Sequence, residues 1–179
     1  TRLGLPEVEL GIVPGWGGTL RLPRQVGLST ALPMILTGRL LPASEAARTG
    51  LIDAALPAER FDDALAQFID RLLADGSIEA VRRSWRRWFL DRTPPGRWLV
   101  LRTARRRVAR HIDHYPAPAA AIEAVRQGLN SADAGLAAER EAIGQLVFTD
   151  TCRNLLSLFF GRERARNPAT WVAGNVEPG

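Results

Sequence analysis

Apolar residues recur at helical spacing through most of the second half of the chain. Ile78, Val81, Trp85, Trp88 and Phe89 form one stripe, and Leu101, Val108 and Ile112 continue the pattern. Ile122, Val125 and Leu129 form another, and Cys152, Leu155, Leu156 and Phe159 the last. Residues 132–147 are helical by composition. Proline-containing breaks at 93–96 and 115–118 separate these segments. Residues 76–166 therefore read as all helix, and 167–179, rich in Pro, Gly and Asn, as a frayed tail or linker. No internal repeat is visible.

The first 75 residues have a different texture, that of α/β material. Leu3-Gly4-Leu5 before Pro6-Glu7 reads as a strand end running into a turn. Residues 12–19 form a Gly-rich loop, in which glycine permits positive φ or close approach to a ligand. Helices are expected at 19–26, at 29–38 with Ser29 as N-cap and Gly38 just past the end, and at 42–49 stopping at Gly50. A strand is expected at 51–56. An amphipathic helix follows at 61–74, with Phe61, Leu65, Phe68 and Leu72 on one face.

Composition narrows the chemistry. All 24 basic residues are arginine, so lysine Schiff bases and phosphate-loop lysines are excluded, while forked guanidinium recognition of phosphate is favoured. Between Arg82 and Arg110 there are eleven arginines and one acid, Asp91. That run fits a solvated helix face with snorkelling arginines beside Trp85 and Trp88. It fits a field steering phosphate-bearing partners less well, and a nucleic-acid surface least. The single Cys152 excludes an internal disulfide and sits on an apolar stripe, as a buried small hydrophobe would. No apolar stretch reaches membrane-spanning length, and no signal peptide is visible. The opening at Thr1, already in mid-pattern, suggests a fragment.

Few residues offer reactive chemistry on their own spacing. Glu7 follows a proline at the lip of a turn, where an exposed turn glutamate is the ordinary reading. Gly15-Trp16-Gly17 lacks the third glycine of a dinucleotide fingerprint, because Leu20 occupies that place. A tight strand-to-helix turn explains it equally well. His111 and His114 lie three apart, but the chain has no other histidine, and no metal site is expected.

Taken together, these features are more specific. The run from Gly4 to Arg24, GLPEVELGIVPGWGGTLRLPR, resembles the signature of the crotonase (enoyl-CoA hydratase/isomerase) superfamily. The resemblance continues through Leu36-Thr37-Gly38-Arg39, residues 43–47 and Gly50-Leu51-Ile52-Asp53. Further on, His114-Tyr115-Pro116-Ala117-Pro118, residues 133–139 and Leu158-Phe159-Phe160 resemble one branch, the multifunctional β-oxidation α subunits that fuse a hydratase to a 3-hydroxyacyl-CoA dehydrogenase.

The resemblance implies an α/β fold, the C-terminal part of a ClpP/crotonase-like module followed by an all-helical segment. Residues 1–75 would belong to the crotonase core and 76–148 would complete the hydratase module. Residues 149–179 would lead toward a dehydrogenase domain. It implies hydration of trans-2-enoyl-CoA by two glutamates around one water, with paired backbone N–H groups holding the thioester oxygen. Glu7 matches the second glutamate. The first lies about twenty residues upstream in the family, outside these 179 residues, as do the oxyanion-hole segments, so the chain alone is expected to be inactive. Pro14, Gly15, Trp16 and Gly17 are expected to contact the acyl group, with Trp16 shaping chain-length preference. The CoA thioester would be substrate, with no cofactor in this segment and NAD only in the dehydrogenase. Implied partners are acyl-CoA, a thiolase β subunit and further copies in an oligomer, without nucleic acid or membrane span, in a bacterial cytoplasm. The rival readings are an isomerase or thioester hydrolase of the same superfamily, and a non-catalytic helical interaction domain.

Overall fold

The computed structural model describes residues 1–76, 84–109 and 114–166. Two short strands, β1 (Arg2–Leu3) and β2 (Leu41–Pro42), pair antiparallel with Leu3 opposite Leu41. Nine α-helices follow from the sequence among the described residues: α1 (Gly18–Val26), α2 (Leu28–Thr37), α3 (Ala43–Thr49), α4 (Phe61–Asp75), α5 (Trp85–Arg92), α6 (Pro94–Val108), α7 (Ala117–Asn130), α8 (Ala132–Leu146) and α9 (Asp150–Arg166). Single 3₁₀ turns occupy Glu7–Leu10 and Ala58–Arg60. Ile78, Val81, His111, Ile112 and the 167–179 tail lie outside the described residues.

The core gathers on α1, α2, α7 and α8. Leu28, Leu32, Met34 and Ile35 of α2 meet Ile122 and Val125 of α7, and all are essentially inaccessible. Helices α7 and α8 form a tight antiparallel hairpin around two glycines. A Cβ on Gly135 would lie 2.5 Å from the Gly128 Cα, so only glycine lets the backbones approach this closely. Cys152 of α9 is fully buried, as its stripe predicts.

Two expectations are corrected. Residues 51–56 form bends and coil, not a strand: the chain leaves α3 through left-handed Gly50, and the Leu51 N–H is taken by the Ala46 carbonyl at 2.9 Å. Ser29 is not the cap of α2, which begins one residue earlier with Gly27 at the N-cap. Its cap comes from α5: the Ser29 N–H donates to Asp91 Oδ1 at 2.8 Å. Asp91 packs so closely that a Cβ on Gly27 (φ 89°) would lie 2.1 Å from Oδ2. The Trp85/Trp88 stripe of α5 faces outward, with Trp85 at 74% exposure. Guanidinium groups stack on the exposed rings, Arg86 over Trp85 at 5.7 Å and, on α6, Arg102 over Trp98 at 4.8 Å.

Candidate active site

Pro6 ends the extended entry segment, and Glu7 opens the 3₁₀ turn that Gly11 closes in the left-handed conformation. Val8 is buried beneath the turn and anchors it in the core. The Tyr115 hydroxyl, reaching from the far half of the chain, donates to the Val8 carbonyl. Burial, with help from nearby Glu9, raises the Tyr115 pKa above its ordinary value, so the hydroxyl stays a donor across physiological pH.

Glu7 itself is half-buried. Its Oε2 is wholly buried and has no protein hydrogen-bond partner. Leaving a carboxylate oxygen unsatisfied is costly, and such atoms concentrate where chemistry needs them. Glu7 lines a cavity of about 680 Å³ whose walls include Ile12, Val13, Leu136 and Ile143, with Arg21 and Arg140 as its basic residues.

The Gly-rich loop supplies another wall. Gly15, Trp16 and Gly17 all line the cavity, while Pro14 does not. Pro14 is buried beneath the loop, where a Cβ on Gly18 would lie 2.8 Å from its own. Its part is therefore to support the loop from below. Trp16 has φ 52°, the sole positive φ of a non-glycine among the described residues, and Gly17 follows at φ 83°. A left-handed tryptophan costs on the order of 1–3 kcal/mol, so surrounding contacts must hold it there. Its side chain is 95% exposed.

One such hold is the turn's own bond, from the Gly18 N–H to the Gly15 carbonyl at 3.0 Å; another is Glu139 on α8, a residue with no visible role in the sequence outside the family-like run. Its Oε1 accepts the Gly17 N–H at 2.6 Å, and its Oε2 accepts the Thr19 N–H at 3.0 Å and the Thr19 hydroxyl at 2.5 Å. With both oxygens occupied, Glu139 is unsuited to proton transfer although it shares the cavity with Glu7. Sequence could have flagged it only as an acid on the apolar stripe of α8 formed by Gly135, Ala142 and Leu146. Among the described residues no group of three or more His, Cys, Asp or Glu is placed to hold a metal.

The site is thus a cavity with largely apolar walls, bordered by the glycine-rich loop and carrying one carboxylate oxygen without a protein partner. Residues 1–89 match the enoyl-CoA hydratase/isomerase family. Over its whole length the chain is similar to the fatty acid oxidation complex subunit alpha of Shewanella loihica, with 37% identity over 99% of this chain and 25% of the relative. It is similar also to the subunit of the same name from Vibrio parahaemolyticus, with 38% identity over 89% of this chain and 23% of that one. The chain thus spans about a quarter of the length of the curated relatives it matches. A crystal structure from Streptomyces avermitilis, provisionally assigned as an enoyl-CoA hydratase, aligns over 87% of this chain and 42% of its own at 26% identity, with a TM-score of 0.46. No described helix is long and apolar enough to cross a membrane.

Proposed function

We propose that this chain contributes one half of an enoyl-CoA hydratase site, in which water adds across the double bond of a trans-2-enoyl thioester to give the 3-hydroxyacyl product. One observation carries the reading: the free, buried Oε2 of Glu7 in a cavity with apolar walls. In this proposal Glu7 manages the proton at Cα. A second glutamate, in the segment that precedes this one in the family, directs the water oxygen to Cβ. The π bond is replaced by one C–O and one C–H bond, with both hydrogens coming from the same water. Ile12, Val13, Leu136, Ile143 and Trp16 would take the acyl chain, and Arg21 and Arg140 would favour the charged end of the thioester.

The relatives' names support a setting in fatty-acid oxidation. We extend this to a fused 3-hydroxyacyl-CoA dehydrogenase that uses NAD, a thiolase β subunit as partner, an oligomeric assembly and a bacterial cytoplasm. The family also includes isomerases. The same Glu7 could shift a proton between Cα and Cγ without water. Assays of crotonyl-CoA hydration and of 3-enoyl-CoA isomerisation distinguish the two. The expectation is that the 179-residue chain alone turns over neither substrate. The chain extended through its upstream coding sequence should hydrate crotonyl-CoA, and Glu7→Gln should lower kcat by about 10²–10⁴-fold without lowering the unfolding midpoint. Full hydration by the Glu7→Gln protein would sink the proposal.

A further inference from the structure

Glu139 occupies a position where the pattern of α8 calls for an apolar residue. Its neighbours on that face, Gly135, Ala142 and Leu146, are all buried, and Glu139 itself is 3% exposed. A buried carboxylate is tolerated only when its oxygens are satisfied, and all three of its donors come from one place, the segment Gly17–Thr19. Helix α1 has Gly17 at its N-cap and no side-chain cap of its own. Its first-turn N–H groups need an acceptor, and a negative charge there also suits the helix dipole. Glu139 supplies both from 120 residues away. Trp16 immediately precedes the clamped residue, in the one left-handed non-glycine conformation described. Glu139 therefore grips the loop beside the turn's own bond, from the Gly18 N–H to the Gly15 carbonyl at 3.0 Å, and is its one tie to α8 among these hydrogen bonds.

We infer that Glu139 is a positioning residue, which holds the Trp16 loop over the Glu7 cavity and so sets how the cavity discriminates acyl chains. The second clause rests on the hydratase reading; the first does not. It follows that α8, remote from Glu7 in sequence, governs the geometry of the site's loop wall while taking no part in proton transfer.

The test has two arms. In the first, the full chain carries Trp16 as its single fluorophore, with Trp85, Trp88, Trp98 and Trp171 changed to Phe. At a temperature well below unfolding, Glu139→Gln should lower the Trp16 anisotropy by about half, toward that of a loop moving on the nanosecond scale. Thr19→Val, which removes one of the three bonds, should give a smaller drop and serves if Glu139→Gln does not fold. Glu141→Gln makes the same charge change on the exposed face of α8 and should leave the anisotropy alone. Unchanged anisotropy in a folded Glu139→Gln or Thr19→Val chain overturns the inference.

In the second arm the upstream-extended chain is assayed with short and long 2-enoyl-CoA substrates. Glu139→Gln should change the ratio of their kcat/KM values by about tenfold, with the pH profile unmoved because Glu7 still handles the proton. An unchanged ratio alongside lowered anisotropy overturns the link to discrimination. Absence of turnover with Glu139 intact rejects the hydratase reading and leaves the anisotropy result to decide the positioning role.

Discussion

Trp16 presents a large indole to solvent from a strained backbone, a combination a folded chain keeps only for a purpose. If it shapes the acyl pocket, Trp16→Ala in the upstream-extended chain should shift chain-length preference toward longer substrates. Competition between short and long enoyl-CoA substrates measures this, and an unmoved preference would remove Trp16 from the pocket. Tyr115 acts on the other side of the site, bonding the turn that carries Glu7. Tyr115→Phe should cost about 0.5–1.5 kcal/mol in urea unfolding, the usual net worth of one hydrogen bond. The pH dependence has a definite sign. The Tyr115 pKa is raised in the fold. Its stabilising share is therefore complete below the unfolded tyrosine value near 10 and is lost as pH rises through the higher folded value. Stability of the parent chain should fall more steeply above pH 10 than that of Tyr115→Phe.

At the scale of elements, two joints hold the helices in place. Asp91 of α5 caps α2, and Asp91→Ala should cost about 0.5–2 kcal/mol, the range for loss of an N-cap. The Gly128/Gly135 crossing is less forgiving. Gly135→Ala forces a methyl against backbone and should cost about 1–3 kcal/mol, despite the better helix propensity of alanine. Equal or greater stability of that variant in urea would show that the α7–α8 hairpin can open without loss. The sequence predicted these helices well, since each carries its own apolar period and its own stop, as with Gly38 and Gly50, both left-handed past a helix end. It left open what the periods face. The Trp85 stripe obeys helical spacing yet meets solvent and guanidinium groups, because periodicity specifies a face and not its partner.

For the molecule as a whole, charge is unevenly shared. Net charge is +5, and among the described residues Glu45, Glu123, Asp150 and Glu163 meet arginines in ion pairs. One of these, Glu123, links α7 to α6 through Arg105 and pairs with Arg126 one turn along its own helix. Its hydrogen bond from Arg126 is the largest cause of a pKa lowered to about 2 against an opposing desolvation effect; Gln127 and the charges of Arg126 and Arg105 add to the lowering. The folded value lies below the unfolded one, so the stabilisation is present above pH 4.5 and fades as pH falls toward 2. Glu123 is partly exposed, which keeps the pair's worth under about 1 kcal/mol. Glu123→Gln should therefore lower the urea midpoint only slightly at pH 7, and the difference should vanish by pH 2.

Local sequence determined the helices and the run from Gly4 to Arg24 whose resemblance singles out Glu7, because helical period, turn chemistry and a contiguous motif all act within a few residues. Only the tertiary structure decided that Glu7 keeps a bare buried oxygen, that Pro14 lies beneath the loop, and that Glu139, Tyr115 and Asp91 hold site and scaffold together. Those bonds join residues 62 to 122 positions apart. A carboxylate's choice among distant donors depends on which backbones the packed core brings beside it, and no local pattern carries that information.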